Sequence, residues 1–297
     1  MSKQTLQEQL QQYIDEHDIS ITAVSRAIDY STAVISQWLD GKYTGDNAKV
    51  EDMVKNFLEL QRDRKQTPRQ EIPFCHISTT KKLFEVARMC HLDGEIGVCY
   101  SDAGLGKTVA SKQYAQKHKN VILIEADLGH TARVLFSELH RKIGMDGQGT
   151  IHDMFEDVIM KLKGSGRFII IDEAEHLPYR ALELLRRVYD KAGVGILLVG
   201  MPRLIMNLRG KRGEYAQLFS RIGVAVKLDT LKAADTQEIV DAAIPNSNGV
   251  WKAYHEASSG NARILSKLLY RSQRVAAINK CEVTPEIVKE TAKMLLI

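Results

Sequence analysis

Apolar residues recur at helical spacing through the first sixty positions: Leu6, Leu10, Tyr13 and Ile14; Val24, Ala27 and Ile28; Val34, Ile35, Trp38 and Leu39; then Val50, Met53, Val54, Phe57 and Leu58. That period predicts a small bundle of short amphipathic helices. The stretch QRDRKQTPRQEIP that follows is charged and carries Pro68 and Pro73, so 61–77 is expected to be a linker. From residue 95 the pattern changes. Short β-rich runs, EIGVCY (95–100), VILIEA (121–126), RFIIID (167–172), VGILLVG (194–200) and GVAVKL (223–228), alternate with helical segments. Nearly continuous apolar strands are those buried on both faces, which predicts an α/β fold with a parallel sheet covered by helices. After about Thr230 the strand pattern stops and helices return, including 260–279 and 284–296, the latter with Thr284 as N-cap and Pro285 in its first turn. The expected order is an all-α domain over 1–60, the linker, an α/β domain over 78–230 and a helical lid over 231–297.

With 297 residues, 44% hydrophobic and 26% charged, and only 6 Pro and 20 Gly, the chain can build packed cores and is neither collagenous nor largely disordered. No apolar run approaches the roughly 18 residues of a membrane helix, and the polar start MSKQTLQEQLQQ lacks the apolar centre of a signal peptide. A cytoplasmic protein with no membrane partner is expected. Cys75, Cys90, Cys99 and Cys281 form no C-x-x-C pair, so they read as small buried hydrophobes rather than as a zinc site or a disulfide framework. A net charge of +4 permits a polyanionic partner without requiring one.

The chemistry begins at Ser101-Asp-Ala-Gly104-Leu-Gly106-Lys107-Thr108, directly after the first strand and before a helical segment. This is a P-loop with Ser101 in place of its first glycine. Gly104 and Gly106 let backbone amides curl around phosphates of ATP, Lys107 suits the β- and γ-phosphates, and Thr108 suits Mg²⁺. An ordinary glycine turn before a helix is the plain alternative. A second element weighs against it: Phe168-Ile-Ile-Ile-Asp172-Glu173-Ala-Glu175-His176, an apolar strand ending in carboxylates about 65 residues after Lys107. Asp172 suits the Mg²⁺ shell, Glu173 suits activation of the attacking water, and Glu175 reads as a solvated acidic cap.

Together these motifs resemble the AAA+ ATPases over roughly residues 78–297. The resemblance implies an active site completed by a neighbouring subunit. It implies an arginine finger acting in trans at Arg221, in Leu-Phe-Ser-Arg221-Ile, and a sensor for the γ-phosphate at Arg263, in Ser-Gly-Asn-Ala-Arg263-Ile. The polar residue the family carries after its fourth strand has no clear counterpart, because the sequence there reads Gly200-Met201-Pro202.

Residues 20–39 read as two short helices joined at Asp29-Tyr30, with Ser31 capping the second. This looks like a helix-turn-helix of the phage-repressor type, without the glycine of its turn, whose second helix would present Ser31, Thr32, Ser36 or Gln37 to DNA. A helical protein-interaction bundle is the alternative. The block Gly41-Lys-Tyr-Thr-Gly-Asp-Asn47, with the P-loop, the acidic strand end and the LFSRI segment at their spacing, resembles the Mu B family of transposition ATPases over nearly the whole chain. What that implies is an ATP-dependent, sequence-indifferent DNA-binding protein, with its C-terminal tail shortened here, in the cytoplasm of a bacterial host. Its partners would be double-stranded DNA, a transposase and itself, as a helical homo-oligomer. Two segments would face DNA in a central channel: Thr131 and Arg133 after the second strand, and Arg203, Lys211 and Arg212 after the fourth, since sequence-blind contacts need cations and hydroxyls aimed at phosphate. A replication or clamp-loading ATPase, and a nucleotide-switched transcription regulator, stay open as alternatives.

Overall fold

The computed structural model describes residues 5–66, 72–210, 215–245, 247 and 249–295, and the chain divides into two compact units, Met1–Gln70 and Glu71–Ile297. The first unit has four helices among its described residues: α1 (Leu6–His17), α2 (Ile21–Ala27), α3 (Thr32–Leu39) and α4 (Asn47–Gln66). Its core holds Leu10, Ile14, Val24, Ile28, Ile35, Trp38, Val50, Val54 and Leu58, drawn from the apolar face of each helix. The turn between α2 and α3 lacks glycine; Asp29 takes its place at φ 57°, a left-handed conformation that a short polar side chain tolerates. Helix α4 continues six residues into the segment expected to be a linker, because five of the six residues of QRDRKQ, all but Asp63, are good helix formers.

In the second unit α5 (Ser78–Asp93) leads into β1 (Ile96–Tyr100), α6 (Lys107–Lys117), β2 (Val121–Glu125), α7 (Ala132–Lys142), α8 (Ile151–Leu162) and β3 (Phe168–Asp172). A single 3-10 turn, Ala174–His176, precedes α9 (Tyr179–Ala192), β4 (Gly195–Gly200), α10 (Arg203–Arg209), α11 (Ala216–Phe219) and β5 (Ile222–Lys227). The strands pair in parallel in the order β2-β3-β4-β1-β5. Side chains alternate across the sheet as a period of two requires. Ile169 and Ile171 of β3, and Ile196 and Leu198 of β4, pack with α7, α8 and α9, whereas Phe168, Ile170, Leu197 and Val199 pack with α5 and α6. Cys90 and Cys99 lie fully buried in that second layer, as small hydrophobes, whereas Cys75 is only half-buried and Cys281 is exposed, against the expectation from sequence.

The remaining helices, α12 (Ala233–Ala243), α13 (Trp251–Ser258), α14 (Ala262–Ile278) and α15 (Pro285–Lys293), close on a core of their own that includes Val240, Tyr254, Leu265, Leu268, Leu269 and Val288. Among the described residues no helix is long and apolar enough to cross a membrane.

Candidate nucleotide-binding site

The loop Ser101–Gly106 leaves the end of β1 and runs straight into the first turn of α6. Gly104 and Gly106 take φ of 85° and 83°, values that disfavour a Cβ, so the loop can turn its amides toward the helix N-terminus with its partial positive charge. Ser101, the departure from the P-loop pattern, is fully buried. Its hydroxyl donates to the Asp102 carbonyl at 3.1 Å and accepts from Lys107 Nζ at 3.0 Å. The Ser101 and Asp102 carbonyls accept from the same ammonium, each at 2.9 Å. A serine here therefore gives the lysine an oxygen partner that glycine lacks. Burial lowers the Lys107 pKa from its ordinary value, and the negative charges of Glu175 and then Asp172 oppose that shift.

Asp172 ends β3 and is 2% exposed. Its Oδ1 accepts the Glu173 amide at 3.1 Å, while Oδ2 is buried without a hydrogen-bond partner among the described residues. Burial pushes its carboxyl above the usual range, against the Thr108 hydroxyl and the Glu173 amide, which hold it down. An orphaned carboxylate oxygen is costly to leave dry. Lining one cavity with the Thr108 hydroxyl, it fits the oxygen donor set of a divalent cation.

Glu173 stands at φ 53°, a left-handed conformation costing a non-glycine residue about 1–3 kcal/mol. Its Oε2 lies 3.6 Å from His176 Nε2, and His176 Nδ1 lies 3.5 Å from Arg203 Nη2. Glu175 corrects the sequence reading: it is no solvated cap but 6% exposed, with Oε2 buried and unpartnered. The reason is that the 3-10 turn folds back over the end of β4, where Asn207 Nδ2 donates to the Glu175 carbonyl at 2.9 Å. A Cβ at Gly200 would collide with the Glu175 carboxylate and crowd Leu204. Gly200→Ala is accordingly expected to destabilise the protein by about 1–3 kcal/mol, read as a lower denaturant midpoint at unchanged slope.

The lid meets the phosphate loop through backbone and cap contacts. Asn261 caps α14, its Oδ1 accepting the amides of Arg263 and Ile264 at 3.0 and 3.1 Å, and its Nδ2 donates to the Ala103 carbonyl at 3.0 Å. The Arg263 amide also donates to the Gly104 carbonyl at 3.0 Å. Asn261 was legible in principle, since Asn before a helical run is an N-cap signal.

Gly104, Gly106, Lys107, Thr108, Asp172, Glu173 and Arg263 thus line one cavity of about 410 Å³, which Glu175, His176 and Met201 also border. Met201 brings a half-exposed thioether to the position after β4. Arg221 is not among the lining residues. It precedes β5 beside the start of β1, whereas the phosphate loop follows the end of β1, and a five-residue strand spans roughly 16 Å.

Of the residues expected to face DNA, Arg133 and Arg203 are exposed at the starts of α7 and α10. Exposed Thr131 caps α7, accepting the Val134 amide at 3.3 Å. Lys211 and Arg212 lie outside the described residues. On α3, Ser31 is the N-cap and accepts the Val34 amide, the Thr32 hydroxyl lies 3.2 Å from Ser25 Oγ, Gln37 is exposed and Ser36 half-buried.

The family model of an AAA domain matches residues 91–208. Among solved structures, the ORC2 protein of Aeropyrum pernix in its ADPNP-ADP complexes superposes with a TM-score of 0.59 at 16% identity, covering 78% of this chain and 72% of that one, a likeness of fold. Among proteins of known sequence, the Mu-like prophage FluMu DNA transposition protein B of Haemophilus influenzae is 28% identical over 80% of this chain and 85% of its own length. The ATP-dependent target DNA activator B of Escherichia phage Mu is 30% identical over 78% of this chain and 76% of its own. With this extent of likeness, and with a phosphate loop, a buried acidic strand end and a lid arranged around one cavity, the chain is an AAA-type ATPase that belongs to the family of ATP-dependent target DNA activator B proteins of Mu-like phages.

Proposed function

We propose that this ATPase uses ATP to assemble on target DNA as a helical homo-oligomer, with little preference for sequence, and delivers that DNA to a transposase. The observation that carries the reading is the position of Arg221 at the opposite end of the sheet from the phosphate loop. A cation placed there serves a nucleotide held by another copy of the chain, so a complete site requires assembly.

Within one copy, Lys107 and the amides of the phosphate loop hold the phosphates, and Arg263 brings the lid to the same cavity. Thr108 and Asp172 would hold Mg²⁺, which supplies charge neutralisation on the phosphates when bound. Glu173 accepts the proton of the attacking water or orients it. Arg221 of the adjoining copy stabilises the charge that develops on the transferred phosphoryl group. Closure of copies around nucleotide would bring the loops after β2 and β4 to a shared axis, where Thr131, Arg133, Arg203, Lys211 and Arg212 contact DNA phosphates. In the first unit, α3 offers Ser31, Thr32, Ser36 and Gln37 as a secondary DNA-facing surface.

Electron microscopy of the protein with duplex DNA, with and without ATP, tests assembly, and strand transfer by the cognate transposase into coated and uncoated DNA tests delivery. Equal transfer into both would reject the delivery role while leaving the nucleotide chemistry standing. Replacing Arg133, Lys211 and Arg212 by alanine is expected to weaken binding to unrelated duplexes alike. It should also flatten the dependence of log affinity on log salt by about 0.9 for each DNA phosphate no longer neutralised. A sequence-selective loss, read by footprinting, would favour a transcription regulator instead.

A further inference from the structure

Arg221 is not a loose surface arginine. Its Nε donates to Asp190 Oδ1 at 3.0 Å, and no other contact of its guanidinium is found among the described residues. Asp190 stands near the end of α9, and its second oxygen takes Arg186 Nη1. Arg186 in turn is nearly buried, with Nε and Nη2 donating to the two carboxylate oxygens of Glu183 at 2.9 and 2.6 Å. The chain Glu183–Arg186–Asp190–Arg221 therefore runs along α9 to the residue just before β5, with the Asp190 carboxylate shared between Arg186 and Arg221.

The chemistry of this arrangement is directional. A guanidinium has five N–H donors in a planar fork, and a carboxylate oxygen that takes Nε restrains the side chain while leaving the donors of the two terminal nitrogens unused. Arg221 is half-exposed at 47% of its side chain, and those donors have no partner among the described residues. A long arginine free to sample its rotamers loses conformational entropy on being fixed, and a pre-set fork loses less. Holding the side chain before docking is how a group acting across an interface reaches its geometry without that loss.

We propose that Asp190 is the positioning residue for Arg221. Backed by Arg186 and Glu183, it holds the guanidinium aimed out of the β5 end of the sheet, so that this face fits the nucleotide cavity of a second copy of the chain. The inference rests on the reading of Arg221 as acting in trans. It also makes α9 a direct link between sites, because the same helix follows the Asp172–His176 segment of its own nucleotide cavity and carries, near its end, the residue that sets the arginine offered to the next.

The test is a subunit-mixing assay on the full chain with DNA and ATP, with nucleotide affinity and thermal stability measured on each variant. Asp190→Ala is expected to lower kcat on the order of ten- to a hundredfold, the effect of misplacing a catalytic group, with KM and ATP affinity nearly unchanged. Asp190→Glu is expected to restore part of the rate. Mixed with Glu173→Gln subunits, whose Arg221 is intact, Asp190→Ala subunits should regain activity; mixed with Arg221→Ala subunits they should regain none. If Asp190→Ala hydrolyses ATP at or above the normal rate, or recovers equally with both partners, the positioning role is overturned. If Arg221→Ala itself fails to recover when mixed with Glu173→Gln, the trans reading falls, and that result is distinct. Should Asp190→Ala unfold, Asp190→Asn, which keeps the shape and removes the charge, is put through the same mixtures.

Discussion

Lys107→Ala is expected to abolish ATP binding at ordinary nucleotide concentrations, while Glu173→Gln keeps binding and loses hydrolysis. Removing one partner of a desolvated charge contact costs about 2–5 kcal/mol, roughly thirtyfold to several thousandfold in Kd. Here the loss is doubled in kind, because Lys107 also faces the buried carboxylates of Glu175 and Asp172, whose charge then meets the incoming phosphates without a counter-ion. Glu173 lines the same cavity but has half its side chain exposed, so its amide analogue leaves the phosphate contacts intact and removes only the action on water, a loss on the order of 10²–10⁴-fold in kcat. Equilibrium binding of a fluorescent ATP analogue, beside phosphate release under saturating ATP, separates the two. Normal turnover by both variants would sink the assignment of this cavity.

Arg221→Ala carries the other large effect. An arginine that stabilises the transferred phosphoryl group is worth roughly 10³–10⁵ in kcat, and its removal should leave the binding of ATP to a single copy nearly unchanged. Because Arg221 stands at the end of the sheet remote from its own phosphate loop, mixtures of Arg221→Ala and Glu173→Gln subunits should hydrolyse ATP although neither does alone. The recovery should pass through a maximum as the ratio is varied, since only one of the two kinds of mixed interface is complete. No recovery at any ratio would mean that Arg221 serves no neighbouring site.

The sequence by itself determined the features that depend on neighbours a few residues away. Helical periodicity marked the four helices of the first unit, and apolar runs marked five strands, each placed within a residue or so of its observed bounds. The phosphate loop was legible because its chemistry is local: two glycines at positive φ, then a lysine at a helix start, need only eight consecutive residues. The acidic strand end was legible for the same reason. The position of Asp172 and Glu173 at the end of an apolar strand was readable from the sequence, but not that Asp172 would keep one oxygen without a partner among the described residues.

Tertiary structure decided the rest. Periodicity says that strands exist and nothing about their order, so only the arrangement β2-β3-β4-β1-β5 brings the ends of β1 and β3 to one cavity with β4 between them. That order buries Glu175 against Gly200, and the parallel pairing of β5 with β1 sets Arg221 at the far end of the sheet. The Asn261 contact to Ala103 spans 158 positions and the Asp190 contact to Arg221 spans 31. Polar and charged side chains of this kind look alike in sequence whether they end in solvent or against a partner. What distinguishes them is desolvation and a fixed counter-charge, and both arise only when separate elements pack together.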